Sequence, residues 1–221
     1  MKVLQEFSPV EVLKMLLYPK VMGILQELNV KNDMKSELKR HIQEIITLTD
    51  SEFELIAGYF VSKHFKKGQF VIQQGEKVPY TYFVVNGLMK LICTDESGKE
   101  HILSFVQEDW WESDYFAFYN KTSATMALQC LENSNALCIT LENLNKLCTA
   151  FPKMEHFFLQ KANSGHIASQ QRILSLLSSS AQERYFQLMN RYPLLLQRVS
   201  KTQLAAYLGV SRETLSRLYL P

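Results

Sequence analysis

The side chains best suited to chemistry lie near the C-terminal end, in Ser-Arg-Glu-Thr-Leu-Ser-Arg at 211–217. An arginine can bond guanine O6 and N7 with two parallel N–H groups, and a glutamate can accept from cytosine N4. On a helix, Arg212 and Ser216, and likewise Glu213 and Arg217, fall one turn apart and away from Leu215 and Leu218. That is a surface able to read base edges from the major groove. The bland alternative is an i,i+4 Glu–Arg surface pair worth a few tenths of a kcal/mol.

The flanking residues must position such a helix, and their pattern is specific. Ser200 and Gln203 have the spacing of a capping box for a preceding helix. Leu204 and Leu208 give that helix an apolar face, and Ala205 leaves room for a second helix to approach. Gly209 suits the positive φ of a tight turn, Val210 points inward, and Ser211 can cap the second helix. Two helices across a three-residue turn form a helix-turn-helix, whose second helix enters the major groove. Charge agrees with this reading. Net charge is +2, yet 181–221 carries six basic residues (Arg184, Arg191, Arg198, Lys201, Arg212, Arg217) against two acids.

Upstream, the period of the sequence changes twice. Met34–Ile46 is amphipathic, and Ser51 with Glu54 reads as the start of a helix running to about Tyr59. From Phe65 to Thr140 come short β-branched and aromatic runs: Phe70–Ile72, Tyr80–Val85, Leu88–Cys93, His101–Val106, Met126–Leu131 and Ala136–Thr140. Turn residues such as Lys67-Gly68, Gly75-Glu76, Asn86-Gly87 and Asp95–Gly98 separate them. Strands so spaced, with no helices between, predict an antiparallel sandwich or barrel. Helical period then returns. Leu141–Ala150 is a short helix, Pro152 opens one of about 27 residues, Ser178–Ser180 resembles a hinge, and a helix over Ala181–Tyr192 stops at Pro193.

Composition excludes several classes. The 221 residues are 47% hydrophobic and 21% charged, a globular balance. No apolar run approaches the roughly 18 residues of a membrane helix, and Glu6, Glu11 and Pro19 interrupt the first apolar stretch. The four cysteines, Cys93, Cys130, Cys138 and Cys148, lack CxxC spacing. Neither a disulfide framework nor a zinc knuckle is expected, and a cytoplasmic location fits.

A β-roll, a long helix and this C-terminal motif together resemble the Crp/Fnr family of bacterial transcription regulators, over about residues 36–220. The resemblance implies an α+β chain with four parts. These are an N-terminal extension at 1–33, a double-stranded β-helix (jelly-roll, cyclic-nucleotide-binding-like) domain at 34–150, a dimerisation helix and hinge at 151–180, and a helix-turn-helix domain at 181–221. It implies base contacts from Arg212, Glu213 and Arg217, and phosphate contacts from Ser200, Lys201, Thr202, Ser211 and Thr214. It also implies a homodimer on a near-palindromic double-stranded DNA site, with RNA polymerase as a further partner.

The departures from the family are as informative. In cyclic-nucleotide receptors a Gly-Glu-Leu and a later Arg hold the cyclic phosphate and ribose. Here Glu112 falls at the glycine slot, Ser113 at the glutamate slot and Ser123 at the arginine slot, and Lys121 is the only base among six acids between Ile102 and Asn145. A buried phosphate needs a positive partner or several backbone donors, so cyclic AMP is not the expected effector. Trp110, Trp111, Lys121 and Ser123 are the candidate ligand-pocket residues, although Trp110 and Trp111 with Tyr115, Phe116, Phe118 and Tyr119 equally suit core packing. No cysteine precedes Cys93 to hold an iron–sulfur cluster. His101 and Cys93 are isolated as haem or metal ligands, so no cofactor, metal site or catalytic residue is expected. In the long helix, small residues and an aromatic on one face (Phe158, Ala162, Gly165, Ser169) would let two copies approach closely. Family members often continue into a β-hairpin wing beyond the recognition helix, and without one DNA affinity is expected to be low. The competing readings are a ligand-binding or protein-interaction β-roll with weak DNA binding, and a cupin-like metal enzyme.

Overall fold

Between Val61 and Ile139 eight strands form two four-stranded antiparallel sheets, as drawn from a computed structural model that describes Val30 and residues 33–218. The extension expected over 1–33 lies, apart from Val30 and Asp33, outside the described residues, as does the side chain of Leu218. The strands are β1 (Val61–Phe65), β2 (Phe70–Ile72), β3 (Thr81–Asn86), β4 (Met89–Thr94), β5 (Glu100–Val106), β6 (Trp111–Glu112), β7 (Ala127–Cys130) and β8 (Ser134–Ile139). One sheet has the order β1-β8-β3-β6 and the other β2-β7-β4-β5. This is a jelly-roll, closed around Phe83, Met89, Leu128 and Ile139, all fully buried. The β3–β4 turn depends on Gly87. Its φ is +102°, and a Cβ there would stand 2.3 Å from Ser134 Oγ.

Helices surround the roll. A helix over 33–43 (α1) seals one side with Met34, Leu38 and Ile42. The next, α2 (Asp50–Ala57), is capped by Thr49 and Glu52 rather than by Ser51 and Glu54. Thr49 has the extended backbone a cap requires, and its side chain accepts from the Glu52 amide while Glu52 accepts from Thr49 N–H. Tyr115–Asn120 (α3) is helical although its aromatic residues favour strands. Asp114 caps it. After α4 (Leu141–Ala150) comes the long α5 (Pro152–Ser178), 27 residues and so about 40 Å. Ser179 ends it in an extended conformation, and Ser180 starts α6 (Ala181–Arg191) with a capping box to Glu183.

Three further elements, α7 (Leu195–Arg198), α8 (Lys201–Leu208) and α9 (Arg212–Leu218), follow among the described residues. They do not stand apart from the roll. Leu88, Ile92, Ile102, Phe105 and Ala127 on the roll share a second apolar cluster with Tyr185, Leu188, Leu195, Leu204, Leu208 and Leu215. Four short elements carried no sequence signal: β1, whose residues are mostly half-exposed, the two-residue β6, α7, and α3, which interrupts a run of strands expected to have no helix between them.

Candidate functional site

The C-terminal motif is built from local bonds. Ser200 Oγ accepts from Gln203 N at 3.2 Å, and Gln203 Oε1 accepts from Ser200 N at 2.9 Å. Gly209 adopts φ 69°, and its amide and that of Val210 close α8 on Ala205 O. Ser211 Oγ accepts from Thr214 N at 3.1 Å and contacts Thr214 Oγ1 at 3.1 Å. Leu215 is fully buried against α8, which leaves Arg212, Glu213, Thr214, Ser216 and Arg217 exposed on the other face. No Glu213–Arg217 ion pair forms among the described residues. The Glu213 backbone N–H and the Ser211 hydroxyl hold its carboxyl below the usual range, so it stays an acceptor. Ser200, Lys201 and Thr202 are exposed at the start of α8.

The basic excess of this region serves two purposes. Arg184 donates to Leu208 O at 3.0 Å and to Ser179 O at 2.6 Å, tying the end of α8 to the hinge. Arg198 is spent on Glu108 and Glu132 of the roll. The charge count therefore overstates the freely exposed basic charge of this region by two arginines. Tyr207 on α8 packs against Phe105 with centroids 5.0 Å apart and lies under the Arg172 guanidinium at 3.7 Å.

The phosphate cassette of the resemblance is differently employed. Asp114 is fully buried, and its carboxylate accepts from Ala117 N, Thr125 N, Thr125 Oγ1 and Met126 N at 2.7–3.1 Å. Burial would raise its pKa, but these donors outweigh burial and hold it below the usual range. The backbone amides that could cradle an anion are occupied by the chain's own carboxylate. Ser113 is buried, with its hydroxyl donating to Tyr80 O at 2.9 Å. Ser123 sits in a bridge to Lys77, and Lys121 is an exposed left-handed cap of α3.

A cavity of about 1170 Å³ opens between the roll, α5 and the C-terminal helices. Of the four candidate pocket residues, Trp110 and Trp111 line it and Lys121 and Ser123 do not. The four therefore form no single site, because Ser123 and Lys121 are held on the surface beyond α3. Trp111 also belongs to the core. Its Nε1 donates to His41 Nε2 at 3.2 Å, and its ring packs on Phe83 and Phe158. Two residues missed by sequence reading meet at the cavity wall. β5 and β6 end their respective sheets, and Ser104 Oγ on β5 donates to Glu112 Oε2 on β6 at 2.9 Å. Strand-edge contacts of this kind leave no local sequence signal. No group of three or more His, Cys, Asp or Glu among the described residues is placed to hold a metal.

On α5, Phe158 is half-buried against Trp111, while Ala162, Gly165 and Ser169 are exposed and line the cavity. Leu159, Ile167, Leu174 and Leu177 form a neighbouring exposed apolar face, with Leu177 81% exposed. No helix among the described residues is long and apolar enough to cross a membrane.

Residues 62–151 match the family model for the cyclic nucleotide-binding domain. The transcriptional activator protein Anr of Pseudomonas protegens is 27% identical over 169 residues, covering 70% of this chain and 67% of that protein. Among solved structures, FixK2 from Bradyrhizobium japonicum superposes with a TM-score of 0.63 at 17% identity, over 72% of this chain and 82% of its own. The c-di-GMP responsive regulator CLP of Xanthomonas campestris gives 0.63 at 15%, over 77% and 89%. Fold and site together define a regulator with a cyclic-nucleotide-binding-type roll. The chain carries a cyclic nucleotide-binding domain and is similar to DNA-binding transcription regulators of the Crp/Fnr type.

Proposed function

We propose that the chain works as a cytoplasmic homodimer on a near-palindromic promoter site, where it meets RNA polymerase. In this reading α8 and α9 are a helix-turn-helix and α5 is the dimerisation helix. The observation that carries it is the division of α9 into a buried Leu215 side and an exposed Arg212, Glu213, Arg217 side. Arg212, Glu213 and Arg217 read base edges, and Ser200, Lys201, Thr202, Ser211 and Thr214 hold phosphates. Two copies of α9 must stand about 34 Å apart to read both half-sites.

The effector is not a cyclic nucleotide, because Asp114 fills the backbone donors and Ser123 replaces the arginine that would face a phosphate. The cavity beside α5 supports a second role for the roll as a small-ligand module. The test is binding to an operator selected from random duplexes. Arg212→Ala or Arg217→Ala should cost about 1–3 kcal/mol on that site, and Lys201→Ala should weaken all sequences alike and flatten the salt dependence. Unchanged affinity in both arginine variants would refute the base-reading role. Micromolar cyclic AMP binding by calorimetry would refute the effector reading.

A further inference from the structure

Arg172 on α5 and Arg184 on α6 converge on the last turn of α8. Arg172 Nη2 donates to Tyr207 O, and Arg184 Nε donates to Leu208 O at 3.0 Å, so the two guanidiniums hold consecutive carbonyls. Arg191 follows Arg184 about two turns along α6, and all three arginines line the cavity. No carboxylate among the described residues pairs with any of the three. The carbonyls at a helix C-terminus carry only about half a negative charge. Two full positive charges set on them remain largely unbalanced. Burial, together with the neighbouring Arg184 charge, lowers the Arg172 pKa.

The other charges of the wall do not cancel this excess. Lys161 pairs with Glu44 at 3.7 Å, and Asp109 pairs with Arg40 at 2.5 Å. Glu112 accepts from Ser104 Oγ and Ser113 N, and burial pushes its carboxyl up to about 7, so it is only partly charged near neutral pH. It stands beside Trp111, whose ring packs on Phe158, about four turns of α5 away from Arg172. A guanidinium has five N–H donors in a rigid fork that matches phosphate oxygens. Arg172 uses only Nη2 and Arg184 only Nε and Nη1 on backbone carbonyls, which leaves donors on both for an anion. One carboxylate would neutralise one of the three charges, whereas a phosphomonoester carries nearly two. Rings stand beside the arginines: Arg172 lies over Tyr207 at 3.7 Å, Arg191 over Tyr192 at 5.4 Å, and Tyr192 meets Trp110 with centroids 6.1 Å apart.

We propose that the arginine end of this cavity binds a small phosphomonoester dianion. Its oxygens accept from Arg172 and Arg184, and Arg191 adds its charge from the exposed end of α6. A ligand so held touches both side chains that grip the end of α8, and therefore acts on the part of the chain that positions α9. The inference rests on reading the cavity as the ligand site of the regulator, but not on the assignment of DNA contacts.

The experiment uses the full chain at pH 8 and four probes of similar size followed by calorimetry: phenyl phosphate, phenyl sulfate, benzyl alcohol and benzylamine. The indole N–H signals of Trp110 and Trp111, both in the cavity wall, report binding there by NMR. Phenyl phosphate, a dianion at this pH, should bind saturably below about 1 mM, a normal affinity for a fragment of this size. Phenyl sulfate, of the same shape with a single charge, should bind about fivefold more weakly, and benzyl alcohol and benzylammonium at least about tenfold more weakly. Arg172→Gln and Arg184→Gln, which keep N–H donors for the α8 carbonyls, should each weaken phenyl phosphate about tenfold. Arg172→Lys, which keeps the charge and loses the fork, should give an intermediate loss. Benzylammonium or benzyl alcohol binding as tightly as phenyl phosphate would overturn the proposal in wild-type protein, whatever the variants do. So would unchanged phenyl phosphate binding in both glutamine variants, or no saturable binding of phenyl phosphate. Loss of that binding in Arg212→Ala, with the indole signals unmoved in the wild type, would assign phosphate uptake to the exposed face of α9 instead. Should the glutamine variants fail to fold, the order of the wild-type probes and the Arg212→Ala result decide. Movement of the indole signals by another probe, but not by phenyl phosphate, keeps the cavity as a ligand site and refutes this inference alone.

Discussion

Arg198 grips Glu108 with two parallel hydrogen bonds of 2.9 Å, although 90 residues separate them in the chain. The same guanidinium reaches Glu132 at 3.0 and 2.8 Å, and Glu108 also accepts from Gly87 N at 2.9 Å. One side chain just before α8 is thus tied to two turns of the roll. Burial works against ionisation of Glu108, but Arg198 together with the Glu108 and Gly87 amides outweighs it and holds the carboxyl below the usual range.

Arg198→Ala should loosen the C-terminal helices from the roll. The clamp is partly exposed, so screening limits its worth to about 1–2 kcal/mol. Hydrogen exchange in Lys201–Leu208 and at the β5 surface should accelerate, with the interior strands β3 and β8 unchanged. Uniform exchange across all of these segments would show that the apolar contacts, and not the clamp, hold the two parts together.

Glu112 and His41 predict opposite pH dependences. Glu112 has a folded pKa of about 7, above its ordinary 4.5. As pH rises from about 4.5 through 7 the unfolded chain releases this proton first, so stability falls. Glu112→Gln should therefore raise unfolding free energy by up to about 3 kcal/mol at pH 8 and change it little at pH 4.5. Urea unfolding at the two pH values checks this, and an equal effect at both would disprove the raised carboxyl.

His41 is 2% exposed, its ring tilted on Phe83 at 4.7 Å, and it accepts the Trp111 indole N–H. Its proton then sits on Nδ1, facing Glu44 Oε2 at 3.5 Å and Asp109 Oδ1 at 3.7 Å. Burial, with the Lys161 charge, lowers its pKa to about 4. Stability from neutral His41 is complete above 6.5 and is lost as pH falls through about 4. His41→Leu should cost about 1–3 kcal/mol at pH 7, because the buried indole N–H loses its acceptor. The variant should also be less sensitive to acid. Stability curves for both proteins between pH 7 and 4.5 decide it.

The dimer proposal is tested on α5. Ala162→Glu places like charges in the proposed seam and should give a monomer by light scattering, with operator binding lost. If only Ile167→Glu dissociates the protein, the seam runs along the apolar face of Leu159, Ile167, Leu174 and Leu177 instead. If both variants stay dimeric, α5 is an intrachain strut.

Much was legible in the sequence because it was local. The Ser200–Gln203 capping box, the positive φ of Gly209 and the Ser211 cap are fixed by residues within four positions of one another. The roll's main strands and the 27-residue helix after Pro152 follow from hydrophobic period and turn residues. The end of α2 shows the limit of such reasoning, since Thr49–Glu52 and Ser51–Glu54 have the same spacing and backbone geometry chose between them. Only the tertiary structure could spend Arg184 and Arg198 internally, fill the cassette amides with Asp114, or bring Ser104 and Glu112 together. Those outcomes depend on which sheet edges and helix ends become neighbours. Neighbours distant in the chain are set by packing of the whole core, which no local spacing encodes.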